Sequence, residues 1–205
     1  MENAYFFGYG SLVNRATHSH VPAFPALLHG WRRVWKSTVL RPVAFLSAEP
    51  FDGAQIEGLI AHVQGGDWAQ LDIRERAYAR HEVTARCDHE AADDARIEVY
   101  AVPHHMGAGP DVTHPILLSY VDTVVQGFAE IFGEAGAMRF FETTQGWGGP
   151  VLDDRAAPIY PRATDVSAGE RAFVDAALER LGGVAERGEI AEKPPATPEG
   201  GGTAG

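Results

Sequence analysis

Residues 5–14 read YFFGYGSLVN, and two local signals meet there. Tyr5, Phe6 and Phe7 are the kind of aromatic run that suits a pleated, buried surface, so they predict a short internal strand. Gly8 and Gly10 end it. A glycine on each side of Tyr9 frees the backbone either to take a positive φ or to approach another group closely. Nothing else in the first twenty residues asks for that freedom. Two uses are open to such a loop: a plain tight turn after a strand, or a cradle for a ligand.

Outward from this stretch the first half of the chain continues in strand-like runs: LLHGWRRVW (27–35), VAFLS (43–47), IEGLIAHV (56–63), HEVTARC (81–87) and RIEVYAV (96–102). The loose alternation in IEGLIAHV predicts a strand covered on both faces. The interruption is GDWAQLDIRERAY (66–78), which reads as a helix starting at Asp67. From Pro115 the period changes. Leu117, Tyr120, Val121, Val124, Phe128 and Ile131 recur at spacings of three and four, predicting an amphipathic helix with Pro115 in its first turn and Gly133 just past its end. SAGERAFVDAALERL (167–181) repeats the pattern, with Ser167 and Glu170 as a capping box and Phe173, Val174, Ala177, Leu178 and Leu181 as the buried face. Strands first and helices later predict an α+β fold. Residues 1–185 read as one domain. Residues 186–205 are rich in Pro, Gly and Glu and poor in apolar side chains, which predicts a flexible tail.

Composition narrows the function classes. The chain has 205 residues, with 17 Lys and Arg against 28 Asp and Glu, a net charge of −11. That balance argues against nucleic acid or an anionic membrane as partner, since both need a cationic footprint. One cysteine, Cys87, excludes an internal disulfide and suits a reducing compartment. Neither a signal-peptide pattern nor an apolar run of membrane-spanning length is evident, so a cytoplasmic chain is the expectation.

Chemistry shows on the helix after Asp67. Trp68, Leu71, Glu75 and Tyr78 are spaced three, four and three and share one face, three of them apolar or aromatic. Glu75 therefore points inward, while Arg74 and Arg76 point elsewhere. An ionised carboxylate in an apolar wall needs a raised pKa or a partner. A glutamate so tuned can take a proton and return it within one turnover, as a general acid/base must. Spacing leaves a second reading open, a glutamate at the margin of the stripe satisfied by an arginine such as Arg80.

FGYGSL at 7–12, GWRRVW at 30–35 and LDIRE at 71–75 occur in an order that resembles the γ-glutamyl cyclotransferase family, its ChaC-type branch in particular, over roughly Tyr5–Val102. The resemblance implies a small mixed β-barrel flanked by helices. It implies a reaction that uses no cofactor and no metal, on a small-molecule γ-glutamyl substrate. The substrate's α-amino group attacks its own side-chain carbonyl, giving 5-oxoproline and a free amine or amino acid. It implies that Glu75 is the catalytic acid/base, and that Tyr9, Gly10, Ser11 and Leu12 cradle the glutamyl end. Tyr78 and Tyr100 would line the pocket. After Glu75 the chain reads RAY, without the glycine usual in the branch and with the tyrosine three positions on rather than four.

Three features stay outside the motif set. The segment 139–164, with Thr143, Thr144, Trp147, Asp153, Asp154, Arg155 and Tyr160, reads either as a lid over the barrel mouth or as a long loop packed on its exterior. The histidine pairs at 18 and 20 and at 104 and 105 lack helical zinc spacing and read as solvated or structural. Cys87 reads as a small buried hydrophobe. Against the enzyme stands a reading from another class: a non-catalytic protein on the same fold that binds an amino-acid-like or carboxylate ligand and keeps it.

Overall fold

A computed structural model describes residues 3–38, 41–102, 108–111, 113–182 and 185–186. Apart from Glu186, the expected tail lies outside the described residues, as do His104 and His105. The elements run β1 (Ala4–Gly8), β2 (Ala23–Thr38), β3 (Arg41–His62), α1 (Ala69–Arg74), β4 (Ala79–Glu82), β5 (Cys87–His89), β6 (Arg96–Ala101), β7 (Ile116–Leu117), α2 (Leu118–Thr143), β8 (Thr144–Gln145), β9 (Val151–Leu152), α3 (Ala168–Arg180) and β10 (Ala185–Glu186).

The main sheet has the order β4-β6-β1-β3-β2-β5, with β8 added beside β2. It is mixed: β1 runs parallel to β6 and β8 parallel to β2, while the other pairs are antiparallel. The sheet curls into a half-barrel with helices against it, the α+β architecture expected. A small parallel sheet, β10-β9-β7, lies beside it.

The aromatic run at the N-terminus sits at the centre. β1 pairs Phe7 with Ile60 of β3 on one side and with Val99 of β6 on the other. Tyr5 and Phe7 join the large core with Leu28, Ile60, Val99, Val121, Val124 and Phe128. Ala4 and Phe6, on the opposite face, join a second cluster with Leu12, Ala61, Val63, Leu71 and Tyr100. The strand is thus covered on both faces, and so is β3, where Leu59, Ile60 and Ala61 are all fully buried. α1 closes the second cluster through Leu71, and α2 closes the first.

α2 is two helical segments joined at Gly133, whose φ of 70° takes the left-handed region open to glycine. The predicted stop at Gly133 is real, but helix resumes beyond it to Thr143. Pro115 is not in the first turn; Ile116 and Leu117 form β7 and the helix opens at Leu118. That opening is capped from a distance. Buried Asp154 accepts from the Ser119 N–H (2.8 Å) and hydroxyl (2.6 Å) and from the Ile159 N–H (2.8 Å), so a carboxylate meets the positive end of the helix. Arg155 then bridges Asp122 of α2 (2.7 Å) and Asp175 of α3 (2.7 Å). These contacts pin the segment 139–164 against α2 and α3.

The GWRRVW run contributes a buried cation. Arg33 on β2 donates to the Glu57 carbonyl (2.7 Å), the Thr143 hydroxyl (2.7 Å) and the Thr144 hydroxyl (3.2 Å). Its guanidinium lies over the rings of Phe128 (5.0 Å) and Phe140 (5.3 Å). Burial pushes its pKa down to about 9, against the pull of the Glu57 charge. Cys87 is buried as expected, and burial first, then Asp88, pushes its thiol up to about 12, which leaves little nucleophilic thiolate at neutral pH.

α3 carries the capping box expected of Ser167 and Glu170: the Glu170 N–H donates to Ser167 Oγ (3.2 Å) and the Ser167 N–H to Glu170 Oε2 (2.6 Å). Val174, Ala177 and Leu178 are buried and Phe173 is partly so, whereas Leu181 is 39% exposed because the helix ends at Arg180. Ser167→Ala is expected to lower unfolding stability by about 1 kcal/mol, read from urea unfolding curves of the variant and the wild type.

Candidate functional site

Where β1 ends, the chain turns through a 3₁₀ stretch at Ser11–Val13, closed by the Val13 N–H donating to the Gly10 carbonyl (2.9 Å). Gly8 and Gly10 are not used for a positive φ; Gly10 has φ −127°. They are used for close approach. A Cβ on Gly10 would lie 2.5 Å from the Tyr120 hydroxyl and 3.1 Å from Leu46 Cδ2, and one on Gly8 would lie 2.6 Å from Leu12 Cβ. The loop folds back on itself and against a tyrosine of α2.

A cleft opens beside this loop, lined by Phe7, Gly8, Tyr9, Gly10, Ser11, Leu12, Leu46, Glu75, Tyr78, Tyr100 and Tyr120. All seven residues singled out in the sequence are among them. Leu71 anchors α1 in the second core cluster, and Glu75 follows at the helix end with φ −100° and ψ 26°. Its N–H still donates to the Leu71 carbonyl (2.8 Å), and its own carbonyl accepts from the Tyr78 N–H (2.8 Å). The helix is six residues long, and the turn after Glu75, rather than helical rotation, brings Tyr78 to the cleft. The Tyr78 hydroxyl donates to the Leu46 carbonyl (3.1 Å). A tyrosine three positions on serves here because the chain has already left the helix.

The charges are arranged differently from the expectation. Arg80 is engaged by Asp72 (3.1 Å) and Glu98 (2.9 Å) and stacks over Trp68 (4.7 Å). Glu75 pairs with its neighbour Arg74 (3.1 Å). Arg74 therefore does not point away: its guanidinium also donates to the Thr17 carbonyl (2.9 Å) and reaches the Thr17 and Ser11 hydroxyls (3.4 Å each). Helical spacing does not set the direction of Arg74, because α1 stops there. Arg76 is exposed, as expected.

Three phenols surround the carboxylate. Tyr9 donates to the Tyr100 carbonyl (2.6 Å), and Tyr100 donates to Asp72 (2.6 Å). The Tyr120 hydroxyl accepts from the Ser11 N–H (3.4 Å). Burial pushes the pKa of all three up, and the Glu75 charge adds to the rise in each case. They stay protonated at neutral pH and act as neutral hydrogen-bonding groups. Sequence periodicity assigned Tyr120 to the buried face of α2 but carried no sign that its hydroxyl meets the glycine loop. Tyr120 stacks edge-on with Tyr160 (5.0 Å) and Trp35 (5.8 Å), so the segment 139–164 supports this wall of the cleft from behind.

The loop is braced from its other side by His18. The His20 N–H donates to His18 Nδ1 (3.2 Å), which fixes the proton on Nε2, and Nε2 faces the Leu12 carbonyl at 3.1 Å. Burial, the largest cause, holds the His18 pKa down at about 4, with His20, Arg74 and Arg15 adding to the fall.

Residues 6–116 match the family model described as "Gamma-glutamyl cyclotransferase, AIG2-like". No curated protein matches the chain significantly in sequence. A solved structure named γ-glutamyl cyclotransferase is 14% identical, with TM-score 0.51, and the match covers 84% of this chain and 98% of that one. A human protein described as uncharacterized is also 14% identical, with TM-score 0.52 and coverage of 85% and 99%. These likenesses show the fold.

Two outcomes follow from the loop's packing. Gly10→Ala forces a methyl against the Tyr120 hydroxyl and is expected to destabilise by about 1–3 kcal/mol. Tyr120→Phe in the same chain removes the clashing oxygen and should recover part of that loss, which a double-mutant cycle in urea measures. His18 is neutral in the fold, and the unfolded chain binds the additional proton between about pH 6.5 and 4. Stability should therefore fall as pH drops through that window. His18→Gln should flatten that part of the stability–pH curve.

Proposed function

The chain belongs to the AIG2-like γ-glutamyl cyclotransferase family, and on that premise we propose that it converts a γ-glutamyl compound to 5-oxoproline with Glu75 as acid/base. The observation that carries this reading is a carboxylate, 16% exposed, lining the same cleft as a backbone loop of the Gly-Tyr-Gly-Ser type.

The chemistry needs little more than that. Nucleophile and electrophile belong to one substrate, so the protein has to hold a folded-back conformer; orientation of this kind is worth up to about 7–11 kcal/mol in favourable intramolecular cases. Glu75 accepts a proton from the α-ammonium group, and the freed nitrogen attacks the γ-carbonyl carbon. A C–N bond forms and the carbonyl oxygen becomes an oxyanion. Proton return from Glu75 to the departing nitrogen breaks the original C–N bond. The second proton lost by the α-nitrogen and the second gained by the leaving amine exchange with water. Backbone N–H groups of the Tyr9–Leu12 loop and the phenol of Tyr120, which accepts from the Ser11 N–H and can donate its own hydrogen, are the donors for the glutamyl head and the developing oxyanion. The Tyr9, Tyr78 and Tyr100 hydroxyls donate to the Tyr100 carbonyl, the Leu46 carbonyl and Asp72 and shape the wall. The substrate is of a class: glutathione, γ-glutamyl dipeptides and γ-glutamyl amines share the head group and differ in the part that leaves.

The experiment is release of 5-oxoproline from a panel of those three kinds of compound. Wild type should be active on at least one. Glu75→Gln should lose about 10²–10⁴-fold in kcat while binding of the best substrate, by calorimetry, stays within a few-fold. No 5-oxoproline from any compound overturns the enzyme reading and leaves the cleft as a site where an amino-acid-like ligand is bound and kept.

A further inference from the structure

Beside the cleft stands a residue whose contacts exceed what helix packing requires. Arg74 is the last residue of α1, its side chain 11% exposed, and its guanidinium is shared between two parts of the site. Nε faces Glu75 Oε1 at 3.1 Å. Nη1 donates to the Thr17 carbonyl (2.9 Å), and Nη2 reaches Thr17 Oγ1 and Ser11 Oγ (3.4 Å each). Thr17 is itself tied to the glycine loop, since its hydroxyl donates to the Ser11 carbonyl (2.8 Å). One planar cation thus connects the carboxylate to the Ser11 end of the loop, directly and through Thr17.

We propose that Arg74 is a positioning residue for the cyclisation: it keeps Glu75 in the ionised, proton-accepting form and locks its carboxylate in register with the Ser11 end of the loop. This rests on the reading of Glu75 as the acid/base. The other residues lining this part of the cleft carry no charge. Tyr9 and Leu12 come from the loop, Tyr78 from the turn after α1, Tyr100 from β6 and Tyr120 from α2. The burial they provide disfavours a bare carboxylate. Arg15 and Arg74 both bear on His18, which is neutral, so the nearby brace adds no opposing charge. Arginine rather than lysine suits the place, because a single ammonium cannot reach a carboxylate, a backbone carbonyl and two hydroxyls from fixed directions. The position also explains how the site works with a helix of only six residues: the cation supplies from the side the fixation that a longer helix would give Glu75 from behind.

The test separates charge from geometry. Arg74→Met removes both, Arg74→Lys keeps the charge and loses the fork. In Arg74→Met the acidic limb of the kcat/KM profile should move up by about one pH unit or more, the effect of removing an opposite charge at this range. In Arg74→Lys the limb should stay near the wild-type position while KM rises about tenfold, the worth of one charge-assisted hydrogen bond. An independent readout needs no turnover: the carboxyl ¹³C resonance of Glu75, assigned by its loss in Glu75→Gln, is titrated in wild type and in both variants. A midpoint that does not move in Arg74→Met overturns the inference. A wild-type KM in Arg74→Lys overturns the geometric half of it, and that variant keeps the test decisive if Arg74→Met does not fold. Absence of 5-oxoproline release by the wild type overturns the enzyme reading instead, and the titration tells the two failures apart.

Discussion

The site depends on one strand having no solvent face. β1 lies between an antiparallel and a parallel neighbour, and its alternate side chains enter two different cores. A strand in that position is held in register, because a shift of one residue would turn Ala4, Phe6 and Gly8 toward the first core in place of Tyr5, Phe7 and Tyr9, and crowd Tyr5 and Phe7 into the second, which now takes Ala4 and Phe6. The loop that follows therefore leaves the sheet at a fixed place. Elements docked on the two faces then approach that place from opposite sides: α1 through Leu71 brings Glu75, and α2 through Val121 and Val124 brings Tyr120. At the sheet itself, Gly58 on β3 allows the approach, since a Cβ there would lie 2.4 Å from the Gly8 carbonyl and 2.5 Å from the Phe7 ring.

The electrostatic character of the cleft follows from that convergence. Tyrosines from the loop, from β6 and from α2 bring hydroxyls without bringing charge, and burial keeps them protonated. Asp72, one turn before Glu75 in LDIRE, takes the Tyr100 hydroxyl and Arg80, so the first acid of the motif orients the wall while the second faces the cleft. In surroundings of reduced polarity the Arg74–Glu75 contact is stronger than a similar pair on the surface.

What sequence alone made legible was whatever depends on near neighbours. The buried aromatic strand, the glycine loop, the inward face of Leu71 and Glu75, the helix break at Gly133 and the Ser167 capping box are all set within a few residues, and all are found in the fold. The direction of Arg74 is not legible in the same way, because it turns on whether α1 continues past Glu75, and the helix ends at Arg74. Tyr120 and Asp154 were illegible for a different reason. Tyr120 meets Ser11 across 109 residues and Asp154 caps α2 from 35 residues away; periodicity reports which face is buried and says nothing of what a polar tip on that face will touch. The segment 139–164 hid its role in the same way, its polar residues being anchors for α2 and α3 and a backing for Tyr120.

The buried guanidinium on β2 has a consequence for how the chain is made. Arg33 stands in the long β2–β3 hairpin, from which it takes the Glu57 carbonyl; two further acceptors, Thr143 and Thr144, stand 110 and 111 residues later. A nascent chain that has emerged through residue 116 holds every strand of the central pairing, yet lacks the hydroxyls and the Phe128 and Phe140 rings around that charge. Desolvating the cation at that stage is unfavourable, so burial of this part of the hairpin depends on the second segment of α2. The family motifs occupy the first half of the chain, but the side chains that complete the core beneath them come from the second half.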